Sequence, residues 1–278
     1  MGKHKGFTFV EISLFLVVTA LIFIGIAGGM QNTIFQQKYN DSVQNFLEFL
    51  RDIYSEVSNP QSTGYGNSDQ AIYGKLVVFG ETTDLTGEKI DDDEHPVFVY
   101  DVVGKVGSID ENTSDKDLIG LLKDLQANVA VKKGEKRELA SPEKYSPRWN
   151  AKIDDIEGDL FKKTILVVRH PLSGTINTLV YESPIQVNDI FNRNKDACNN
   201  SSGSEAANAC SAVDGILKEK FDEKENEFRP QEMDFCVNLD GLNKSLFSSP
   251  QDIRITKNAR NASSVLKIDM DGEENRCK

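Results

Sequence analysis

Histidine is scarce in this chain: the 278 residues hold three, His4, His95 and His170, and the last two each stand immediately before a proline. Cysteine is nearly as rare, with four residues, no Cys-x-x-Cys spacing and no histidine close to any of them. A structural zinc site draws its ligands from such pairs and is therefore disfavoured. Neither a glycine-rich phosphate loop, nor a dinucleotide fingerprint, nor an interleaved aromatic and basic platform occurs, so nucleotide and RNA binding lack their usual signatures. Ser173, in His170-Pro171-Leu172-Ser173-Gly174, is not framed as Gly-x-Ser-x-Gly, which leaves a hydrolase nucleophile without its elbow. With no convergent catalytic cluster, the chain reads as a non-enzyme. Positive charge is in deficit as well: 32 Lys and Arg face 44 Asp and Glu, a net charge of -12. Such a surface repels phosphate backbones, which speaks against broad nucleic-acid binding.

What is present is a folded composition with one marked asymmetry. At 38% hydrophobic and 27% charged residues, wholesale disorder, collagen-like repeats and a multi-span transporter are excluded. After the short basic stretch MGKHKG, Phe7–Met30 reads FTFVEISLFLVVTALIFIGIAGGM, in which Glu11 is the one ionisable side chain. About 20 apolar residues cross a bilayer core as a helix, so this run is long enough to span. A cleaved secretory signal has an apolar region of about 7–15 residues and ends at a small-x-small site. This run is longer and continues into a further helical pattern. Lys3 and Lys5 precede it, and the next basic residue is Lys38. The positive-inside rule then puts the N-terminus in the cytoplasm and everything beyond Met30 outside.

A carboxylate within hydrocarbon costs roughly 2.5–3.5 kcal/mol on insertion scales, so Glu11 calls for a partner. The string Gly6-Phe7-Thr8-Phe9-Val10-Glu11 resembles the processing site of type IV prepilins and pseudopilins. The resemblance implies a leader of residues 1–6, cut after Gly6 by a membrane prepilin peptidase that also N-methylates the exposed Phe7. It further implies that Glu11 is the assembly carboxylate, which meets the N-terminal amine of a neighbouring subunit. Phe9 and Val10 replace the Leu and Ile commonest there, and both remain apolar. Many family members carry proline about 20 residues into the mature helix; this chain has Gly25, Gly28 and Gly29 instead. Glycine weakens a helix interior by about 1 kcal/mol relative to alanine, so local melting stays open, as does close helix packing through small residues.

Beyond the span, Ile34, Phe35, Tyr39, Val43, Phe46, Leu47, Leu50, Ile53, Tyr54 and Val57 recur at helical spacing, and Asn59-Pro60 ends the pattern. A helix from Phe7 to about Ser58 would be roughly 78 Å long. Residues 7–30 would be the membrane and polymerisation part and residues 31–58 the amphipathic second half. Residues 59–278 would form a globular head. In the head, Ile72–Gly80, Val97–Val103, Lys163–His170, Thr175–Tyr181, Asp234–Leu239, Asp252–Lys257 and Ser263–Asp269 read as strands. Pro171-Leu172-Ser173-Gly174 reads as a hairpin connection. Asp115–Gln126 and Ser211–Lys224 read as helical insertions, and Gly64–Asn67, Asp91–Glu94 and Lys133–Trp149 as exposed loops. The expected class is α+β, an antiparallel sheet laid on one long helix, which matches the pilin superfamily.

Four cysteines in an exported segment invite disulfides. Cys198 and Cys210 bracket a polar loop, and closing it contributes about 3 kcal/mol in the chain-entropy model. Cys236 and Cys277 would then tie a strand to the C-terminus, as in the disulfide-bounded region of many pilins. The other two connectivities and free thiols stay open. No cofactor is expected. Asp91-Asp92-Asp93-Glu94 could hold calcium or be a solvated turn, and Asp269-Met270-Asp271-Gly272-Glu273-Glu274 is a truncated calcium loop. Some pseudopilins bind calcium near the C-terminus. The resemblance thus implies a large minor pilin or pseudopilin whose partners are a prepilin peptidase/methylase, other pilin subunits and, before assembly, inner-membrane lipid. It would be a single-pass cytoplasmic-membrane protein first and part of an extracellular filament later. The alternatives are a signal-anchored extracellular binding module or adhesin that never polymerises, and an exported enzyme tethered by the same helix.

Overall fold

The computed structural model describes residues 8–59, 70–80, 96–105, 117–129, 143–186, 189–190, 216–222, 228–239, 251–268 and 276–277. It divides into two compact units, Met1–Asp41 and Ser42–Lys278. The elements are α1 (Phe9–Ser58), β1 (Gln70–Val78), β2 (Val97–Lys105), α2 (Leu118–Asp124), β3 (Asn128–Val129), β4 (Glu143–Tyr145), β5 (Ala151–Asp154), β6 (Thr164–Arg169), β7 (Ile176–Tyr181), α3 (Ile216–Asp222), β8 (Met233–Leu239), β9 (Gln251–Ile255) and β10 (Val265–Ile268).

In the first unit, α1 exposes its large apolar side chains, Phe9 at 86% and Leu14 at 67% among them. Phe9–Ile26 is long and apolar enough to cross a membrane, by length and composition. The hydroxyls along it bond inward: Ser13 Oγ donates to Phe9 O and Thr19 Oγ1 to Phe15 O, both at 2.7 Å. Such back-bonding satisfies a hydroxyl without water. Ile34 and Phe35, expected on the buried stripe, remain exposed.

In the second unit the stripe holds: Val43, Phe46, Leu47, Leu50, Ile53, Tyr54 and Val57 are all buried. The strands form two antiparallel sheets rather than the single sheet expected. The first has the order β3-β2-β1-β6-β7, with β4 also on β2; the second has the order β10-β9-β8-β5. Leu76, Val78, Phe98, Tyr100, Val102, Leu166, Val168, Leu179 and Tyr181 of the first sheet share a core with Leu122 of α2 and Ile216, Leu217 and Phe221 of α3. Strand alternation turns Val77, Val99, Ile165, Val167 and Thr178 to the opposite face, where the Tyr54 hydroxyl of α1 meets Thr178 Oγ1 at 2.7 Å. A sheet covered on both faces explains why β6 is buried from Thr164 through Val168. Burial also pushes the Tyr54 phenol well above its ordinary range, against the lowering effect of the Thr178 hydrogen bond.

The two sheets meet at α1 through aromatic rings. Phe46 lies 6.4 Å from Phe79 at the end of β1 and 5.5 Å from Phe235 of β8. Phe161 completes the cluster, 5.2 Å from Phe79 and 4.5 Å from Phe235. Polar contacts add to this attachment. Arg51 Nη2 donates to Val265 O at 3.1 Å, while Lys75 Nζ bridges Glu56 at 2.6 Å and Asp101 at 2.8 Å.

Most expected strands differ from those found by one to three residues at their ends; the insertion expected at Asp115–Gln126 is the shorter α2, and the described part of the one expected at Ser211–Lys224 is α3. The stretch Lys133–Trp149 is not a loop throughout. Residues 133–142 lie outside the described residues, but Glu143–Tyr145 pairs with Val97–Val99. Tyr145 stacks on Phe49 at 4.0 Å and donates its hydroxyl to Asn45 Oδ1 at 3.0 Å. One aromatic anchor beside two charged residues carries no periodic signal, which is why the strand is invisible to pattern. Gly64–Asn67 and Asp91–Glu94 lie outside the described residues. The hairpin at Pro171–Gly174 is present. Gly174 takes φ +70°, a left-handed conformation that glycine adopts without strain, and its N–H donates to His170 O at 2.9 Å.

Candidate functional site

Glu11 sits in the first turn of α1. Thr8, just before the helix, donates its backbone N–H to Glu11 Oε2 at 3.0 Å and its hydroxyl to the same oxygen at 3.1 Å. The Glu11 N–H points back toward Thr8 Oγ1 at 3.4 Å. A hydroxyl has one proton to give and lone pairs to accept with, so both roles are compatible. This is a capping box, a Thr and a Glu three residues apart serving each other's backbone N–H at a helix start. The positive end of the helix dipole also favours a carboxylate there. All three contacts fall on Oε2 or on Thr8; among the described residues no hydrogen bond reaches Oε1.

The chemistry of this arrangement is a carboxylate held in place by its own chain with one oxygen open. It can accept one further donor or cation without giving up the local bonds. Gly6 and Phe7, the expected processing and N-methylation positions, lie outside the described residues. The Thr8–Glu11 pairing is missed when Glu11 is read only as a charge in need of an external partner. Its signal is the Thr-x-x-Glu spacing directly ahead of an apolar run.

Of the expected disulfides, Cys236–Cys277 is formed, with Cα atoms 5.5 Å apart, while Cys198 and Cys210 lie outside the described residues. Around the bridge is a polar network with no counterpart in the sequence reading. Arg254 Nε donates to Asp234 Oδ1 at 2.5 Å and Nη2 to Asp252 Oδ2 at 3.0 Å. Arg276 Nη1 lies 2.9 Å from both Glu232 Oε1 and Asp234 Oδ2. Asp252 is fully buried. Burial, and then the charge of Asp234, raises its carboxyl above the ordinary range; the Arg276 N–H and the Arg254 guanidinium work in the opposite direction. The available signal was the spacing of Asp234 to Cys236 and Asp252 to Arg254, each two apart and so on one face of its strand.

His170 Nδ1 accepts from the backbone N–H groups of Leu172 and Ser173 at 3.3 and 3.2 Å, and the Ser173 hydroxyl lies 2.8 Å from Thr175 Oγ1. His4, His95 and the calcium-loop candidates Asp91–Glu94 and Asp269–Glu274 lie outside the described residues. Among the described residues, no group of three or more His, Cys, Asp and Glu is arranged to hold a metal ion. No protein-family model, curated protein or solved structure matches this chain.

Proposed function

We propose that the chain is a type IV pilin-like structural subunit, a minor pilin or pseudopilin. It would be cleaved after Gly6, N-methylated on Phe7 and assembled into a surface filament through α1. The observation that carries this reading is the Thr8–Glu11 box at the head of an exposed apolar helix of membrane-crossing length. In the membrane before assembly, the box keeps the Glu11 carboxylate hydrogen-bonded. In a filament, the open oxygen would receive the freed amine of Phe7 from a neighbouring subunit. A charge pair in a low-dielectric core is costly to break and effective at setting register. On this reading the N-terminus is cytoplasmic until processing and the second unit lies outside, with a prepilin peptidase/methylase and other pilin subunits as partners. The subunit carries out no catalysis.

The same box supports a second reading, a membrane-anchored extracellular binding module. A carboxylate already bonded to Thr8 requires no neighbour, so α1 could serve as an anchor alone.

Two measurements separate the readings. Mass spectrometry of the surface protein should find an N-terminus at methylated Phe7; an intact Met1, or cleavage beyond Met30, overturns the pilin reading. Glu11→Ala should leave membrane insertion and the fold of the second unit unchanged and reduce the amount of protein recovered in sheared filaments. Equal recovery of wild type and Glu11→Ala would favour the anchored module.

A further inference from the structure

Phe235, Met233 and Val237 of β8 and Ile253 and Ile255 of β9 alternate with the residues of the polar network. Asp234 and Cys236 therefore share one face with their direct cross-strand partners Arg254 and Asp252. Asp154 of β5, opposite Cys236, and Leu266 and Ile268 of β10, opposite Arg254 and Asp252, lie on the same side. The segment Arg276–Cys277 is laid against this face. Cys277 is bonded to Cys236, the Arg276 N–H donates to Asp252 Oδ2 at 3.4 Å, and the Arg276 guanidinium reaches Glu232 and Asp234.

Among the described residues joined in this network, Glu232, Asp234 and Asp252 face Arg254 and Arg276. Asp234 gives one oxygen to each guanidinium, and its side chain is only 7% exposed. Asp252 Oδ1 is buried with no hydrogen-bond partner among the described residues. Among these described residues, taking Arg276 away leaves three carboxylates on one cation. Yet Arg276 is half exposed, at 51%, and an exposed ion pair by itself is worth only about 0–1 kcal/mol. That is too little to hold a long side chain and the backbone behind it in one geometry. What holds it is the adjacent residue: a covalent tether raises the effective concentration of a weak contact without adding any new one.

We propose that Arg276 and Cys277 form a redox-dependent charge strap. Closing the disulfide stations the Arg276 guanidinium against Glu232 and Asp234, and opening it withdraws that cation together with the covalent link. The opening step is thiol–disulfide exchange with a dithiol. The Cys236–Cys277 bond breaks, two electrons and two protons pass to the two sulfurs as thiols, and the dithiol becomes a disulfide. The competing explanation is that the bridge acts only by restricting the unfolded chain, with Arg276 as a bystander. This proposal does not depend on the pilin reading.

The test uses the full chain in detergent micelles and follows amide hydrogen exchange of the peptide covering β9. Four proteins are compared: wild type, Arg276→Gln, Cys236→Ser/Cys277→Ser, and the triple variant. With the bridge intact, Arg276→Gln should speed exchange about fivefold, the scale of one lost ion pair, and Arg276→Lys should recover most of it. Without the bridge, Arg276→Gln should change nothing beyond the effect of the cysteine substitutions. Equal acceleration in both backgrounds, or no acceleration in either, overturns the proposal. If the cysteine variant fails to fold, the comparison is made by adding a dithiol to folded wild type and to Arg276→Gln. After addition, the two should converge on the same β9 exchange rate before exchange rises elsewhere, and a persistent difference overturns the strap.

Discussion

Truncating Phe235 to alanine removes the ring on which α1 and both sheets converge. Phe235 is fully buried, and its ring lies within 4.5 to 5.5 Å of three others, those of Phe161, Phe79 and Phe46. Deleting a buried phenylalanine side chain costs about 3–5 kcal/mol through lost transfer energy and the cavity left behind. Aromatic pairs contribute about 0.5–1.5 kcal/mol beyond area, and three such pairs place Phe235→Ala near the top of that range. For a unit of this size each kcal/mol moves the melting temperature by about 2–4 °C, so a cost of about 4–5 kcal/mol predicts a fall of about 8–20 °C. Phe235→Leu keeps most of the volume and should fall by less than half as much. The assay is thermal unfolding of the full chain, read by near-ultraviolet circular dichroism and by the fluorescence of Trp149, the single tryptophan. Trp149 immediately precedes the Asn150–Ala151 entry to β5, which pairs with β8, the strand of Phe235. Leu172→Ala, at a side chain 52% exposed in the hairpin turn, is the control and should move the midpoint by less than about 2 °C. A Phe235→Ala shift no larger than this control would refute the idea that the ring cluster joins the two sheets.

Two further substitutions have defined outcomes. Gly74→Ala should destabilise the second unit by more than a typical surface change and lower the melting temperature measurably. A Cβ there would run into the backbone oxygen of Val167 and lie 2.7 Å from Val168 Cγ1, and a wild-type melting curve would refute the close approach. Asp252→Asn should steepen the loss of stability on the acid side of the stability curve. A carboxyl raised in the folded state gains stability as pH falls from its raised value toward the ordinary range near 4, because the folded form holds the proton more tightly there. Subtracting the variant's curve of stability against pH from that of wild type should show that rise, and a difference that falls over the same window would contradict the burial argument.

Legibility in the sequence followed the length and regularity of the pattern. β1, β2, β6 and β7 are long runs of β-branched and aromatic residues, and each is visible as a strand. Their grouping is not, because periodicity describes one strand's faces and says nothing about which strands pair. Hence one sheet was expected where two are found. β4 and β5 are three and four residues long with charges at half or more of their positions, so their pairing rests on partners distant in sequence. β9 misleads in a different way: Gln-Asp-Ile-Arg-Ile alternates like a half-solvated strand, yet all five residues are buried. The cover over its polar side includes Arg276 and Cys277, more than 20 positions away. At the start of α1, Glu11 stood out as a charge in an apolar run, while its actual partner three residues earlier went unremarked. Hydropathy draws the eye to the misfit rather than to the cap that accommodates it.

The part of α1 between Ser42 and Ser58 is fastened to the surrounding strands at separate heights. Phe46 meets Phe79 and Phe235, Arg51 meets the β10 backbone, Tyr54 meets Thr178 and Glu56 meets Lys75. A pull along this stretch of helix is therefore a shearing load shared by fasteners acting side by side, in two different sheets. None can slip alone, since a helix rising about 1.5 Å per residue carries every attachment with it. Fasteners loaded together yield at a higher force than the same fasteners peeled one after another. The second unit is accordingly built to resist extraction of its helix lengthwise more strongly than its modest number of polar contacts would indicate.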